Sequence, residues 1–294
     1  MERQIFKTND GRSLEGLVGS TESDDLLLYC HGTPFPAVPF PSMEREASLR
    51  GLKLVAWSRP GYGGSTAQPG RTVRSFSDDA RAVFEQVGGR RALGVGWSGG
   101  GPHALSLGVA MADLCHAVGT IASVAPYEAD DLDWLGGMGP ENVEEFTLAR
   151  AGGPEFDTFI AEGVRSLSET TADNLVSSMA GLISSVDEEA LFEVDLAAVL
   201  AESARHGASS GPDGWIEDDE ALMSSWGFSV AEVQVPVSLW HGSDDLMVPR
   251  PHGEWLAANL PDVSAHLFGE EGHLSLVTRH LGEVLDEVMS LGGI

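Results

Sequence analysis

Apolar residues along this chain follow two rhythms. Six runs are largely apolar: Leu26–Cys30, Leu52–Trp57, Ala92–Val95, Cys115–Val124, Val237–Trp240 and Val263–Phe268. Runs of this kind, bounded by turn residues, predict strands buried on both faces. Ahead of them, Gln4–Thr8 and Leu14–Ser20 flank Asn9-Asp10-Gly11, a turn sequence that predicts a hairpin. Helical spacing marks Ser42–Arg50, Phe76–Gln86, Pro102–Met111, Arg250–Asn259 and Leu274–Leu291. Strand and helix alternate. The pattern predicts an α/β architecture, a doubly wound and mostly parallel sheet with helices on both faces.

The alternation breaks once. From 126 to 234 the spacing is helical throughout, over Glu141–Ala151, Pro154–Leu167, Thr171–Ser185, Glu188–Arg205 and Asp218–Trp226. Gly207–Gly214 reads as a Gly/Ser/Pro linker. The expected organisation is therefore a core domain built from 1–125 and 235–294, interrupted by a helical insertion at 126–234. No internal repeat or low-complexity tract is present.

Charge sharpens that division. The 294 residues carry a formal net charge of -28, and 126–232 alone holds 24 acidic side chains against Arg150, Arg165 and Arg205. Lysine occurs only at Lys7 and Lys53. Such a balance serves solubility and disfavours a polyanionic partner, so nucleic acid is not expected as a ligand. No stretch approaches the roughly 20 consecutive apolar residues of a membrane span. Residues 1–7 lack the basic start and apolar run of a secretory signal, and Cys30 and Cys115 lie in apolar runs as expected of buried thiols. The expected location is cytoplasmic, without membrane attachment.

Candidate chemistry centres on Gly94-Val95-Gly96-Trp97-Ser98-Gly99-Gly100-Gly101, between a strand and a helix. Gly-x-Ser-x-Gly in that setting marks a tight turn that presents a serine nucleophile. A serine needs a base, and the base needs a carboxylate to fix its tautomer. The loop His241–Pro249 supplies two carboxylates, Asp244 and Asp245. Four histidines follow, and His273 alone lies in a loop directly after a strand, which completes the chain order Ser, Asp, His. A tetrahedral oxyanion needs backbone N–H donors; the expected pair is Gly99, after the serine, and Thr33, in His31-Gly32-Thr33-Pro34. No His, Cys and Asp spacing suggests a metal, and no cofactor is expected.

Together these segments resemble the α/β-hydrolase superfamily, in its lid-bearing branch of carboxylesterases, proline iminopeptidases and carbon–carbon bond hydrolases. The resemblance rests on His31–Pro34, Arg59–Ser65, Gly96–Gly100, Gly242–Pro249 and Gly272-His273, in the family's order. It implies that the insertion is a lid, and it selects Asp245 through its spacing to Val248-Pro249. The triad implied is Ser98, Asp245 and His273. The expected activity is hydrolysis of small to medium carboxylic esters, with Trp97, Phe146, Phe159, Met179 and Trp226 lining an apolar pocket. A peptidase of the proline iminopeptidase kind suits the acidic lid, but that group shows His-Gly-Gly-Pro-Gly and Gly-Gly-Ser-Trp-Gly where this chain has His-Gly-Thr-Pro-Phe and Gly-Trp-Ser-Gly-Gly. Carbon–carbon bond hydrolysis shares the triad, and a non-catalytic binder would not need it. Dehalogenases and epoxide hydrolases of the superfamily carry aspartate where Ser98 stands.

Overall fold

The computed structural model describes residues 1–294. Eight strands form one sheet in the order β1-β2-β4-β3-β5-β6-β7-β8. They are β1 (Glu2–Lys7), β2 (Ser13–Val18), β3 (Asp25–Cys30), β4 (Lys53–Trp57), β5 (Arg91–Trp97), β6 (Cys115–Ile121), β7 (Val237–Gly242) and β8 (Val263–Phe268). β2 pairs antiparallel with both β1 and β4, and every other pairing is parallel. The first hairpin turns through Gly11 at φ +90°.

The apolar runs are explained by burial on both faces. Along β3, Leu26, Leu28 and Cys30 enter one core cluster, while Leu27 and Tyr29 enter the other. Successive side chains point to opposite faces of a strand, so a strand covered twice has no polar alternate. One face is covered by α2 (Phe76–Val87), α3 (Gly100–Ala110) and α10 (Pro251–Asn259), and the opposite face by α1 (Pro41–Leu49) and α12 (Leu281–Gly292). Each fully buried leucine contributes about 1.5–3 kcal/mol relative to exposure. Cys30 and Cys115 are buried free thiols. No helix is long and apolar enough to cross a membrane.

Between β6 and β7 the chain is helical; the first two helices follow the spacing, over 141–151 and 154–167, and the later ones depart from it. The six helices are α4 (Pro140–Ala151), α5 (Pro154–Ser168), α6 (Leu175–Ser178), α7 (Ser185–Ala190), α8 (Leu196–Ser209) and α9 (Asp213–Leu222). The helix expected over Thr171–Ser185 is a single turn. Thr171 and Asn174 bond each other's backbone N–H groups, and Gly181 turns the chain at φ +88°. The helix expected over Glu188–Arg205 is split, because the chain leaves helical geometry between α7 and α8. The Gly207–Gly214 linker is mostly helix: Gly207 lies in α8 with its missing Cβ against Pro36, so glycine there permits close packing. The last helix of the insertion runs over 213–222 instead of 218–226. The C-terminal helix expected over Leu274–Leu291 is interrupted at His280, between α11 (Ser275–Arg279) and α12.

Candidate active site

The elbow is built by what its glycines lack. Ser98 follows β5 at φ +57°, a left-handed conformation rare for a residue with a Cβ. A Cβ on Gly96 would clash with the Gly100 carbonyl oxygen, and one on Gly100 would clash with the Cys30 carbonyl oxygen. Only glycine fits at either position. The Ser98 N–H donates to the Ile121 carbonyl at 2.9 Å, which ties the turn to the end of β6.

His273 and Asp245 lie beyond the carboxyl ends of β8 and β7, the edge at which a parallel α/β sheet presents its ligand groups. His273 Nδ1 donates to Asp245 Oδ2 at 2.8 Å, leaving Nε2 as the proton acceptor. Asp245 Oδ1 accepts the N–H groups of Met247 (2.9 Å) and Val248 (2.7 Å), so the carboxylate is held on both oxygens. Asp244 is exposed and accepts only from the Ser243 hydroxyl. Burial lowers the His273 pKa, but the charges of Asp245 and then Asp187 outweigh it, and the net direction is upward. His252 is committed to the Ala125 N–H and the Trp134 carbonyl, while His266 and His280 pair with Glu287 and Glu283.

One group that the sequence pattern does not reveal is Asp187, a fully buried residue of α7. Its carboxylate accepts the backbone N–H groups of His273 (2.9 Å), Leu274 (2.8 Å) and Ser275 (2.9 Å). A residue of the insertion thus fixes the loop that carries His273.

A second buried network holds the Thr33 loop. Asp218, on α9, accepts from Thr33 Oγ1 (2.8 Å), Arg59 Nε (2.9 Å), Tyr62 Oη (3.0 Å) and an Arg71 guanidinium nitrogen (2.7 Å). Arg59 also donates to the Gly32 carbonyl at 3.1 Å. Burial raises the Asp218 pKa, but Arg59 and Arg71 more than reverse this and hold it well below the usual carboxylate range. The Thr33 and Gly99 N–H groups lie outside regular elements and donate to no protein carbonyl.

Thr33, Ser98 and Gly99 line one end of a cavity of about 160 Å³ whose remaining wall comes mainly from the insertion. A smaller cavity beside it, about 30 Å³, is lined by Ser98, His273, Trp97 and Met247. Ser98 therefore opens on both spaces. Of the pocket residues expected from sequence, Phe146 and Met179 line the larger cavity. Trp97 lines the smaller one and donates its indole N–H to the His273 carbonyl at 3.1 Å. Phe159 and Trp226 do not line it. Phe159 lies one helical turn before the cavity-lining Gly163 and packs against the core. Trp226 lies beyond the end of α9, buried beside Phe228, with its carbonyl accepting the Arg74 N–H.

Two acidic side chains line the larger cavity, Glu141 and Glu145, both on α4. Glu145 accepts the Trp215 indole N–H at 2.6 Å and lies against Asp219 of α9. Burial lifts the Glu145 carboxyl to about 7 and Asp219 well above the usual carboxylate range. No cluster of three or more His, Cys, Asp or Glu is placed to hold a metal ion.

This elbow, this sheet order and a histidine–aspartate pair at the carboxyl edge agree with a family-level match over residues 27–287 to the description "Alpha/beta hydrolase family". The chain belongs to the alpha/beta hydrolase family. A 50-residue stretch is 38% identical to the pimeloyl-[acyl-carrier protein] methyl ester esterase of Aromatoleum aromaticum, spanning 17% of this chain and 20% of that protein. The chain thus matches about a fifth of that relative's length. Among solved structures, a hydrolase from Pseudomonas aeruginosa aligns at TM-score 0.70 with 16% identity, over 100% of this chain and 99% of that one. A thermophilic esterase from Thermogutta terrifontis aligns at TM-score 0.67 with 15% identity over the whole of both chains. At these identities the likeness establishes the fold.

Proposed function

We propose that this hydrolase cleaves small to medium carboxylic esters through an acyl-enzyme. Ser98 is the nucleophile, His273 the general base and Asp245 the group that orients it. The observation that carries the reading is a buried histidine, His273, bonded to Asp245 and lining a cavity together with a serine held at φ +57°. His273 Nε2 takes the Ser98 proton as Oγ attacks the ester carbonyl. The amides of Thr33 and Gly99, free of protein acceptors, receive the oxyanion. The same imidazole then protonates the leaving alcohol, and water releases the acid by the reverse steps. Helices α4 to α9 act as the lid, since they supply most of the cavity wall beyond the elbow.

A fluorophosphonate probe should label the protein at Ser98, and p-nitrophenyl butyrate should turn over rapidly while proline p-nitroanilide does not. A protein that remains unlabelled and inert toward short esters would overturn the reading, and turnover of the anilide alone would replace an esterase with a peptidase.

The Asp187 bonds give a sharper expectation. Only neutral imidazole accepts the serine proton, so the rate rises with pH through the His273 pKa. Asp187 contributes to raising that pKa. Removing its charge lowers it, and the acid limb of Asp187→Asn should move toward lower pH. Its kcat should fall about tenfold, as small displacements of a positioned base cost that much or more, while KM changes less. An unmoved limb with unchanged kcat would reduce Asp187 to a structural cap.

A further inference from the structure

The cavity beside Ser98 has an unusual electrical character. Its wall is largely apolar and aromatic, and its ionisable side chains are Glu141 and Glu145, with no lysine, arginine or histidine. On α4, positions 141, 142, 145 and 146 fall on one face and are presented together to the cavity. Glu145 is buried, and behind it stands Asp219, fully buried, neither of whose carboxylate oxygens has a protein hydrogen-bond donor.

An ionised carboxyl pair without a counter-charge is costly in a protein interior. The arginines that could relieve it are committed elsewhere. Arg59 and Arg71 converge on the neighbouring Asp218, and Arg71 also meets Glu217. The Trp215 indole supplies one donor to Glu145, and the Asn142 amide is spent on the Met247 carbonyl at 3.2 Å. Without a ligand, the pair is satisfied by sharing a proton, since one protonated carboxyl can donate to the other. With a ligand, a cation in the cavity beside Glu145 stabilises its ionised form and displaces that proton. A metal does not fit, because the site lacks a cluster of three metal-ligating side chains.

We propose that Glu145, backed by Asp219 and flanked by Glu141, is a subsite for an organic ammonium group, so that the ester bears a protonated amine on the part entering the larger cavity. This deepens the esterase reading and, as a statement about substrate, rests on it. Three partners meet the cation: the free oxygen of Glu145, the carboxylate of Glu141, and the faces of Phe146 and Trp215, both on the wall, which attract cations electrostatically. Binding expels the shared proton, so affinity rises with pH while the amine stays protonated. The charged groups facing the pair are Glu141 on α4 and Asp218 on α9, the latter already neutralised by its arginines.

The test reads binding instead of turnover, so it stands apart from the fate of the esterase reading. Titration calorimetry on the wild-type protein compares benzylammonium, benzyl alcohol and benzoate, whose ring suits a cavity of this volume. Benzylammonium should bind at least tenfold more tightly than the alcohol, benzoate should bind weakest, and ammonium affinity should rise from pH 6 to pH 8. Glu145→Gln should erase the ammonium preference, and Asp219→Asn should flatten its pH dependence. Equal binding of ammonium and alcohol by the wild-type protein would overturn the proposal without any variant. So would a preference that survives in Glu145→Gln. If benzylammonium binds as expected while simple esters are not cleaved, the subsite stands and the esterase reading falls.

Discussion

Ser98→Ala should lower kcat/KM for p-nitrophenyl butyrate by about 10⁴-fold or more, because the proposed acyl-enzyme has no other oxygen to form on. The fold should persist. Residue 98 already holds its turn at φ +57° with a Cβ, and alanine adds no atom, while the glycines that make the turn possible are untouched. Circular dichroism and thermal melting should therefore overlay the parent, which separates lost chemistry from lost structure. His273→Ala should cost a similar factor, and the double variant little more than either single one, since nucleophile and base act as a unit. Full retention of activity in Ser98→Ala would remove the mechanism entirely. Additive losses would mean that Ser98 and His273 act in separate steps.

The core and the first two helices of the insertion were legible in the sequence, and the rest of the insertion was not, for a physical reason. Strand β3 reads directly because every residue from Leu26 to Cys30 is buried by one of two clusters, which leaves no polar position to blur the run. The elbow reads directly because its geometry is local: neighbouring backbone excludes a Cβ at Gly96 and Gly100. The insertion is organised by contacts between distant residues. Asp187 meets the N–H groups of the loop some 86 residues later, and Asp218 meets Arg59 from 159 residues away. Neither partner is implied by spacing.

The acidic composition also misdirects a reading of the insertion. A preponderance of aspartate and glutamate there suggests a solvated surface, yet Glu145, Asp187, Glu217, Asp218 and Asp219 are all buried. Three of them are consecutive on α9. The usable signal was their frame: Trp215 and Ile216 precede them and, after Glu220, Ala221-Leu222 follow, so the acids sit between two apolar pairs of one helix. The same effect displaced the expected pocket. Phe146 faces the cavity because it shares a helix face with Glu145, whereas Phe159 and Trp226 serve packing elsewhere.

Asp218→Asn should be the most destabilising of the substitutions considered, by roughly 3–5 kcal/mol, because it strands Arg59 and Arg71 in the interior without their shared counter-charge. For a chain of this size that corresponds to a fall in melting temperature of roughly 5–8 °C. The pH dependence has a definite sign. The folded-state pKa of Asp218 is depressed, so its contribution is fully present above the unfolded carboxylate value of about 4 and is lost as pH falls below it. The parent should lose stability steeply on acidification below about pH 4, and Asp218→Asn, already without that contribution, should show a shallower slope. Since Asp218 also anchors the Thr33 hydroxyl, ester turnover should drop even at temperatures where the variant remains folded. A variant that melts within about 2 °C of the parent would show that the two arginines find other partners. A variant that loses stability but keeps full turnover would show that the Thr33 loop holds its position without the clasp from α9.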